Sequence, residues 1–270
     1  LNGGTLVWPE GEASEAEIAC RIQCVTAPVI LSEKIVAKPC GNLLLNTAWS
    51  WAGDVMLDGG QVTAQKDFTL TGDVTAKAKG VFCSDAKTTV NGNVVVEAGG
   101  RLTTEGPTQK ESDMCRLELV VSGDLTIAEG GAVDVTGKGF QNNYSPIGYI
   151  TGNGGRSHGG VGFLNQTGSP EGAVKCYGSI YAPSQAGAGS SHAAGGGVLA
   201  LTVAGTLTND GSIAARGADG AYRGAGGSIR ITTGEIVGAG TVDASSNPTS
   251  GAGASYSGCS GGGRIAVTLT

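Results

Sequence analysis

One unit recurs along this chain and limits what it can fold into. In "LELVVSGDLTIAEGGAVDVTGKG", Gly123 follows Leu117, Leu119 and Val121 at period two. Leu125 and Ile127 come next, then Gly130-Gly131, then Val133 and Val135. The stretch "TTVNGNVVVEAGGRLTTEG" repeats the pattern around Gly92, with Val90, Val94, Val96, Gly99-Gly100 and Leu102. Gly53, Gly72, Gly205 and Gly234 stand at the same place in four more copies. The gaps between these glycines are 19, 20, 31, 82 and 29 residues, so a unit of about twenty residues is lengthened in places by loops.

A strand of four or five residues cannot bury its apolar side alone. Coiling the chain so that each unit lies about 4.8 Å above the last pairs every strand with its neighbours. Like residues then stack, and Val55, Val74, Val94, Leu125, Leu207 and Ile236 are expected to form one interior column. Glycine at the corners supplies backbone angles that are costly for other residues. The expected fold is all-β, a parallel β-helix (β-solenoid) spanning 1–270 as one domain, with 139–197 as a glycine-rich side insertion. A β-sandwich, which also uses many short strands, is the alternative. The one stretch with helical character is "EGEASEAEIA" (10–19).

Composition removes several classes. Of 270 residues 49 are Gly, without the three-residue period of collagen. Net charge is −6 and the 17 Lys and Arg are scattered, so the electrostatic footprint of a nucleic-acid binder is missing. No apolar run is long enough to span a bilayer. The start, "LNGGTLVWPEGEASEAE", has neither a basic nor an apolar region of a signal peptide, and "GGGRIAVTLT" begins another unit. We therefore expect a piece of a longer chain with further repeats. Seven cysteines, at 20, 24, 40, 83, 115, 176 and 259, lack zinc-site spacing. In a secreted protein they would form one to three disulfides.

The residue after each key glycine is Asp54, Asp73, Asn93, Asp124, Thr206 or Glu235. In register these form a ladder up one edge. Asp and Asn suit corners because they hydrogen-bond backbone locally. The sharper reading is a Ca²⁺ site on Asp54, Asp73 and Asp124, since carboxylates 4.8 Å apart repel unless a cation or solvent intervenes. No other cofactor is expected.

Alternation stops over 139–197, and aromatics gather there: Phe140, Tyr144, Tyr149, Phe163, Tyr177 and Tyr181, with both histidines and Arg156. A long loop in a compact domain is usually functional or disordered. These residues either fasten an ordered excursion to the solenoid or present a shelf on which tyrosines stack against sugar rings or dock a partner. The candidate ligand-binding residues are Tyr144, Tyr149, Arg156, His158, Tyr177 and Tyr181, with Tyr222 from the adjacent loop 216–227. Gly155-Arg156-Ser157-His158-Gly159 satisfies GxSxG without the strand and helix that a nucleophile elbow needs. Asn165-Gln166-Thr167 is a glycosylation sequon.

A catalytic reading is the alternative. Stacked-strand solenoids often cleave acidic polysaccharides, which takes paired carboxylates or a base with cations neutralising a uronate. Asp134, Arg156, His158 and Arg223 are the candidates for a polysaccharide lyase or glycoside hydrolase, with Lys138, His192, Arg216 and Asp219 nearby in sequence.

The run "YGSIYAPSQAGAGSS…GGGVLALTVAGTLTNDGSIAARG…GAGGSIRITTGEIVGAGTVDASS…GGGRIAV" resembles glycine-rich β-helical segments of large secreted and cell-surface proteins, mainly bacterial, over roughly residues 115–270. The earlier repeats look like the rungs of adhesins and autotransporters. The resemblance implies a right-handed parallel β-helix, export to the cell surface or beyond, and a place in a longer surface protein. It supplies no catalytic residues. The expectation is thus a non-catalytic structural or adhesive module that binds a glycan or surface protein through 139–197 and 216–227.

Overall fold

The computed structural model describes residues 15–26, 33–150, 156–162, 175–220, 222–246 and 260–270. Its strands are short. β1 (Glu15–Ile18), β2 (Arg21–Cys24), β3 (Lys34–Ala37) and β4 (Asn42–Leu45) open the stack. β5 (Trp49–Ala52), β6 (Asp54–Asp58) and β7 (Gln61–Ala64) make the first rung in which three strands are described. β8 (Phe68–Thr71), β9 (Val74–Lys77) and β10 (Val81–Ser84) repeat it, as do β11 (Lys87–Asn91), β12 (Val94–Val96) and β13 (Arg101–Thr103). β14 (Arg116–Val121), β15 (Leu125–Ile127) and β16 (Ala132–Asp134) follow. β17 (Tyr144–Ser145) and β18 (Gly148–Tyr149) form a small hairpin in the insertion. β19 (Val198–Asn209), β20 (Ser212–Ala214), β21 (Ser228–Val237), β22 (Thr241–Asp243) and β23 (Arg264–Leu269) complete the described strands.

The chain is a three-sided parallel β-helix. Face 1 stacks β5, β8, β11, β14, the first half of β19, the first half of β21, and β23. Face 2 stacks β1, β3, β6, β9, β12, β15 and the second halves of β19 and β21. Face 3 stacks β2, β4, β7, β10, β13, β16, β20 and β22. Faces 1 and 2 merge into one 13-stranded sheet because β19 and β21 run through the corner that is broken at Gly53 and Gly72 lower down. Every described pairing in the three faces is parallel, and only the β17–β18 hairpin is antiparallel. Two facing antiparallel sheets, the sandwich alternative, are therefore overturned.

The expected interior column is present in register. Val55 pairs with Val74, Val74 with Val94, Val94 with Leu125, Leu125 with Leu207 and Leu207 with Ile236. Ile35 and Ala16 extend it downward. One continuous apolar cluster runs from Ala16 to Ala244, with Phe68 stacked on Trp49 at 5.4 Å near its lower end. The six corner glycines also share a line: Gly123 donates its N–H to the Gly92 carbonyl at 2.9 Å, and Gly205 to Gly123 at 3.1 Å. The helical expectation for 10–19 is corrected where it can be compared. Glu15–Ile18 is a strand because Ala16 and Ile18 fall at period two and complete interior columns, while 10–14 lie outside the described residues.

The Asp ladder runs up the corner between faces 1 and 2. Asp54 Oδ1 accepts the Asp73 N–H at 2.9 Å, and Asp73 Oδ1 accepts the Asn93 N–H at 2.7 Å. Asn93 Oδ1 accepts from Asp124 at 3.0 Å, and Asp124 Oδ1 from Thr206 at 2.8 Å. Each side chain thus caps a backbone donor one rung above it. At Asp54, Asp73 and Asp124 the charge is met by N–H dipoles and the hydrogen bonds are charge-assisted, while Asn93 accepts through a neutral amide oxygen. Among the described residues no three or more His, Cys, Asp or Glu are grouped to hold a metal ion. The described cysteines 20, 24, 40, 83, 115 and 176 are all free thiols, which corrects the disulfide expectation for them; Cys259 lies outside the described residues. Burial pushes the Cys83 thiol up strongly and that of Cys115 up to about 11, so both are protonated at neutral pH.

Candidate functional site

All four long excursions leave at one corner, where face 3 turns back to face 1. They lie between β13 and β14, β16 and β19, β20 and β21, and β22 and β23. Lower in the stack the same corner is only a tight turn, as at 65–67 between β7 and β8. The glycine run that ends each of the last three loops is built into the ladder. Ser228 N–H donates to Gly197 at 3.0 Å, and Arg264 N–H to Gly227 at 2.9 Å.

Beyond the corner the loops stack on one another through their backbones. Gly139 N–H reaches Gly195 O at 2.8 Å, Phe140 N–H reaches Gly187 O at 3.1 Å, and Gly187 N–H reaches Gly196 O at 2.8 Å. Gly196 N–H reaches Ala225 O at 2.8 Å, Gly226 N–H reaches Gly261 O at 3.0 Å, and Gly159 N–H reaches Gly262 O at 2.8 Å. Segments this close leave no room for side chains. A Cβ on Gly195 would fall inside the Gly187 carbonyl oxygen. The result is a second lobe made of extended glycine-rich segments, pinned to the solenoid by a small apolar nucleus of Met114, Phe140, Ala186 and Val198 with Tyr144 against it.

The predicted ligand-binding residues divide sharply in this lobe. Arg156 and His158 are completely buried and Tyr222 nearly so. His158 Nδ1 bonds the Gly226 carbonyl at 2.7 Å, which places the proton on Nδ1. Desolvation lowers its pKa to about 4, so the ring is neutral. Its ring lies 4.7 Å from that of Tyr177. The half-buried Tyr177 donates its hydroxyl to Ala186 O at 2.7 Å, and burial raises its pKa. Arg156 reaches Asn143 Oδ1 at 3.3 Å, and burial lowers its pKa. His192 lies 5.1 Å from Tyr222, centroid to centroid. These side chains fasten the lobe.

The exposed set is different. Tyr149 is 62% and Tyr181 85% exposed; Ile147 and Ile180 are exposed beside them in sequence, and Val161 is exposed elsewhere in the insertion. Tyr149 packs edge-on against half-buried Tyr144 at 5.4 Å, which holds its ring out from the hairpin. Sequence reasoning missed the three aliphatic members. It also missed Arg264, whose Nε and Nη2 bond the Tyr177 carbonyl at 3.1 and 2.9 Å, and Ser260, which ties the Arg156 N–H to the Arg223 carbonyl. The "GGGR" preceding β23 was the available signal for both, since it copies the "GGG" before β19.

The catalytic candidates have separate partners. Asp134 pairs with Arg101 at 2.6 Å and accepts the Thr136 N–H at 2.8 Å. Arg216 Nε lies 3.9 Å from Asp243. The backbone groups of Arg156 and Arg223 are linked through the Ser260 hydroxyl. Ser157 of the GxSxG string is buried and its hydroxyl accepts the Gly162 N–H at 3.0 Å, and the described residues that follow it, 158–162, form no helix. The sequon and Phe163 lie outside the described residues. No helix of the described residues is long and apolar enough to cross a membrane. The chain matches no family model, no curated protein and no solved structure.

Proposed function

We propose that this chain is a non-catalytic structural and adhesive module, which presents its glycine-built lobe to bind a glycan or a surface protein. The observation that carries this reading is the exposed group Ile147, Tyr149, Val161, Ile180 and Tyr181 on a lobe whose backbone is fastened at both ends. Exposed large apolar side chains on a rigid support favour a binding surface. Tyrosine offers a flat face for a sugar ring and a hydroxyl for its substituents, at low cost in side-chain entropy. In this reading the chain works outside the cell as one part of a longer surface protein, as the proteins it resembles do. This reading does not call on a calcium ion: Oδ1 of Asp54, of Asp73 and of Asp124 each accepts a backbone N–H from the rung above.

The test is binding of the purified chain to an array of glycans and to immobilised surface proteins, repeated with Tyr149→Ala/Tyr181→Ala. Binding lost in the double variant at an unchanged Tm supports the proposal. No binding by the unaltered chain, or equal binding by the variant, rejects it. Turnover of an acidic polysaccharide that disappears with Asp134→Asn would replace it with the catalytic reading.

A further inference from the structure

The segment 175–186 carries Ile180 and Tyr181, and residues 178–182 are all exposed. Its holds lie at its two ends. At one end Tyr177 N–H donates to the His158 carbonyl at 3.2 Å, and the Tyr177 carbonyl accepts from Arg264 Nε and Nη2 at 3.1 and 2.9 Å. At the other end the Gln185 carbonyl accepts the Ser228 hydroxyl at 2.6 Å, and the Ala186 carbonyl accepts the Tyr177 hydroxyl at 2.7 Å. Between them the Tyr181 and Ala182 amides donate to the Ser179 hydroxyl of the segment itself. Tyr177 thus takes part in both holds, and its ring lies against that of His158.

His158 is completely buried, and Nδ1 is committed to the Gly226 carbonyl. Nε2 is left with a lone pair and has no hydrogen-bond partner. It faces the backbone of Gly178. A Cβ there would lie 3.6 Å from Nε2, 3.2 Å from Gln185 Oε1 and 3.7 Å from Arg264 Nε, so a free nitrogen, an amide oxygen and a guanidinium surround one point. Arg264 of β23 is the charged group that acts on the ring, and Gly226 and Gly227 contribute backbone groups. Glu111, the carboxylate that acts on Tyr177, is paired with Arg116.

We propose that His158 is an acid-sensitive latch on the segment 175–186: a proton taken up at Nε2 sets two cations against Tyr177, and the segment comes away from the lobe while the solenoid stays folded. A buried imidazolium beside a guanidinium is repelled by it and lacks both water and a counter-charge. Parting of Tyr177 from the ring admits water to Nε2. The Nδ1–H bond to Gly226 is the same in both protonation states, so the Tyr177 side is the one that gives way. Burial holds the pKa at about 4 in the closed state; a solvated histidine takes up its proton near pH 6.5. The ratio of open to closed segment therefore rises by about tenfold for each pH unit from 6.5 down to 4.

Hydrogen exchange of the 270-residue chain tests this between pH 7 and 4.5, with rates corrected for the intrinsic effect of pH. Protection of the Tyr177 amide should fall steeply below pH 6.5, while that of Val94, which donates to the Asp124 carbonyl inside the solenoid, should hold. Gln185→Glu puts a carboxylate beside Nε2 and should keep Tyr177 protected to lower pH. His158→Gln should make its protection independent of pH. Full protection of Tyr177 at pH 4.5 overturns the proposal. So does a fall shared by Val94, which is unfolding of the whole molecule, or a fall that His158→Gln leaves intact. The comparison of Tyr177 with Val94 in the unaltered chain stands if a variant fails to fold. No ligand is present in this measurement, so its result is independent of what Tyr181 binds.

Discussion

Asp73 takes part in two rungs at once: its N–H donates to Asp54, and its carboxylate accepts from Asn93. Asp73→Ala removes the acceptor and should lower Tm by about 2–4 °C, while Asp73→Asn should lose less because it keeps an oxygen in place. Since one oxygen of each ladder carboxylate already accepts a backbone N–H, adding calcium or EDTA should leave Tm unchanged, and a rise with calcium would show that a cation bridges the remaining oxygens. Gly195 makes the opposite point, a residue whose value lies in what it lacks. Gly195→Ala forces a Cβ into the Gly187 carbonyl, whereas Gly262→Ala meets no atom within 4 Å. Thermal melts should show a clear loss for the first and almost none for the second. The ladder is legible in the sequence because an Asp or Asn follows the key glycine in four successive units, from Gly53 to Gly123. The role of Gly195 is not, because a backbone contact leaves no side chain to reveal its partner.

Among the elements, the segment carrying Arg156 and His158 shows how the lobe answers to pH. His158 is neutral when folded, with a pKa near 4, and burial is the cause. An unfolded histidine takes up a proton near pH 6.5. Below that pH the unfolded state binds the additional proton, so stability is full above about 6.5 and falls as pH drops toward 4, by roughly 3 kcal/mol in total. Melts between pH 7 and 5, above most carboxylate titrations, should show the decline in the unaltered chain and a flatter profile in His158→Gln. Position in sequence made Arg156, His158 and Tyr222 look like binding residues, since polar and aromatic side chains on a loop usually face solvent. The loops instead cover each other, and that depends on the backbone stack and not on any local pattern. Tyr149 and Tyr181 read the same way in the sequence and do face out.

At the scale of the molecule, the repeat made the parallel stack, its column from Val55 to Ile236 and its glycine corners readable before any coordinates. Periodicity survives insertions, and residues at matching positions meet whatever the loop lengths between them. Leu70, fully buried beneath Val90, is a test of that core: Leu70→Ala should cost about 2–5 kcal/mol in denaturant unfolding. The lobe was readable only as an interruption, because the period ends there and the glycines carry no pattern that would order the segments. Its construction also affects how such a molecule can diversify. Each excursion supplies donors or acceptors that its neighbours require, so a graft that exchanges 216–226 alone would strand the amides of the loops on either side. New specificities would have to be introduced at the tips, or through coordinated replacement of whole sets of loops, while the rungs beneath pass on unaltered.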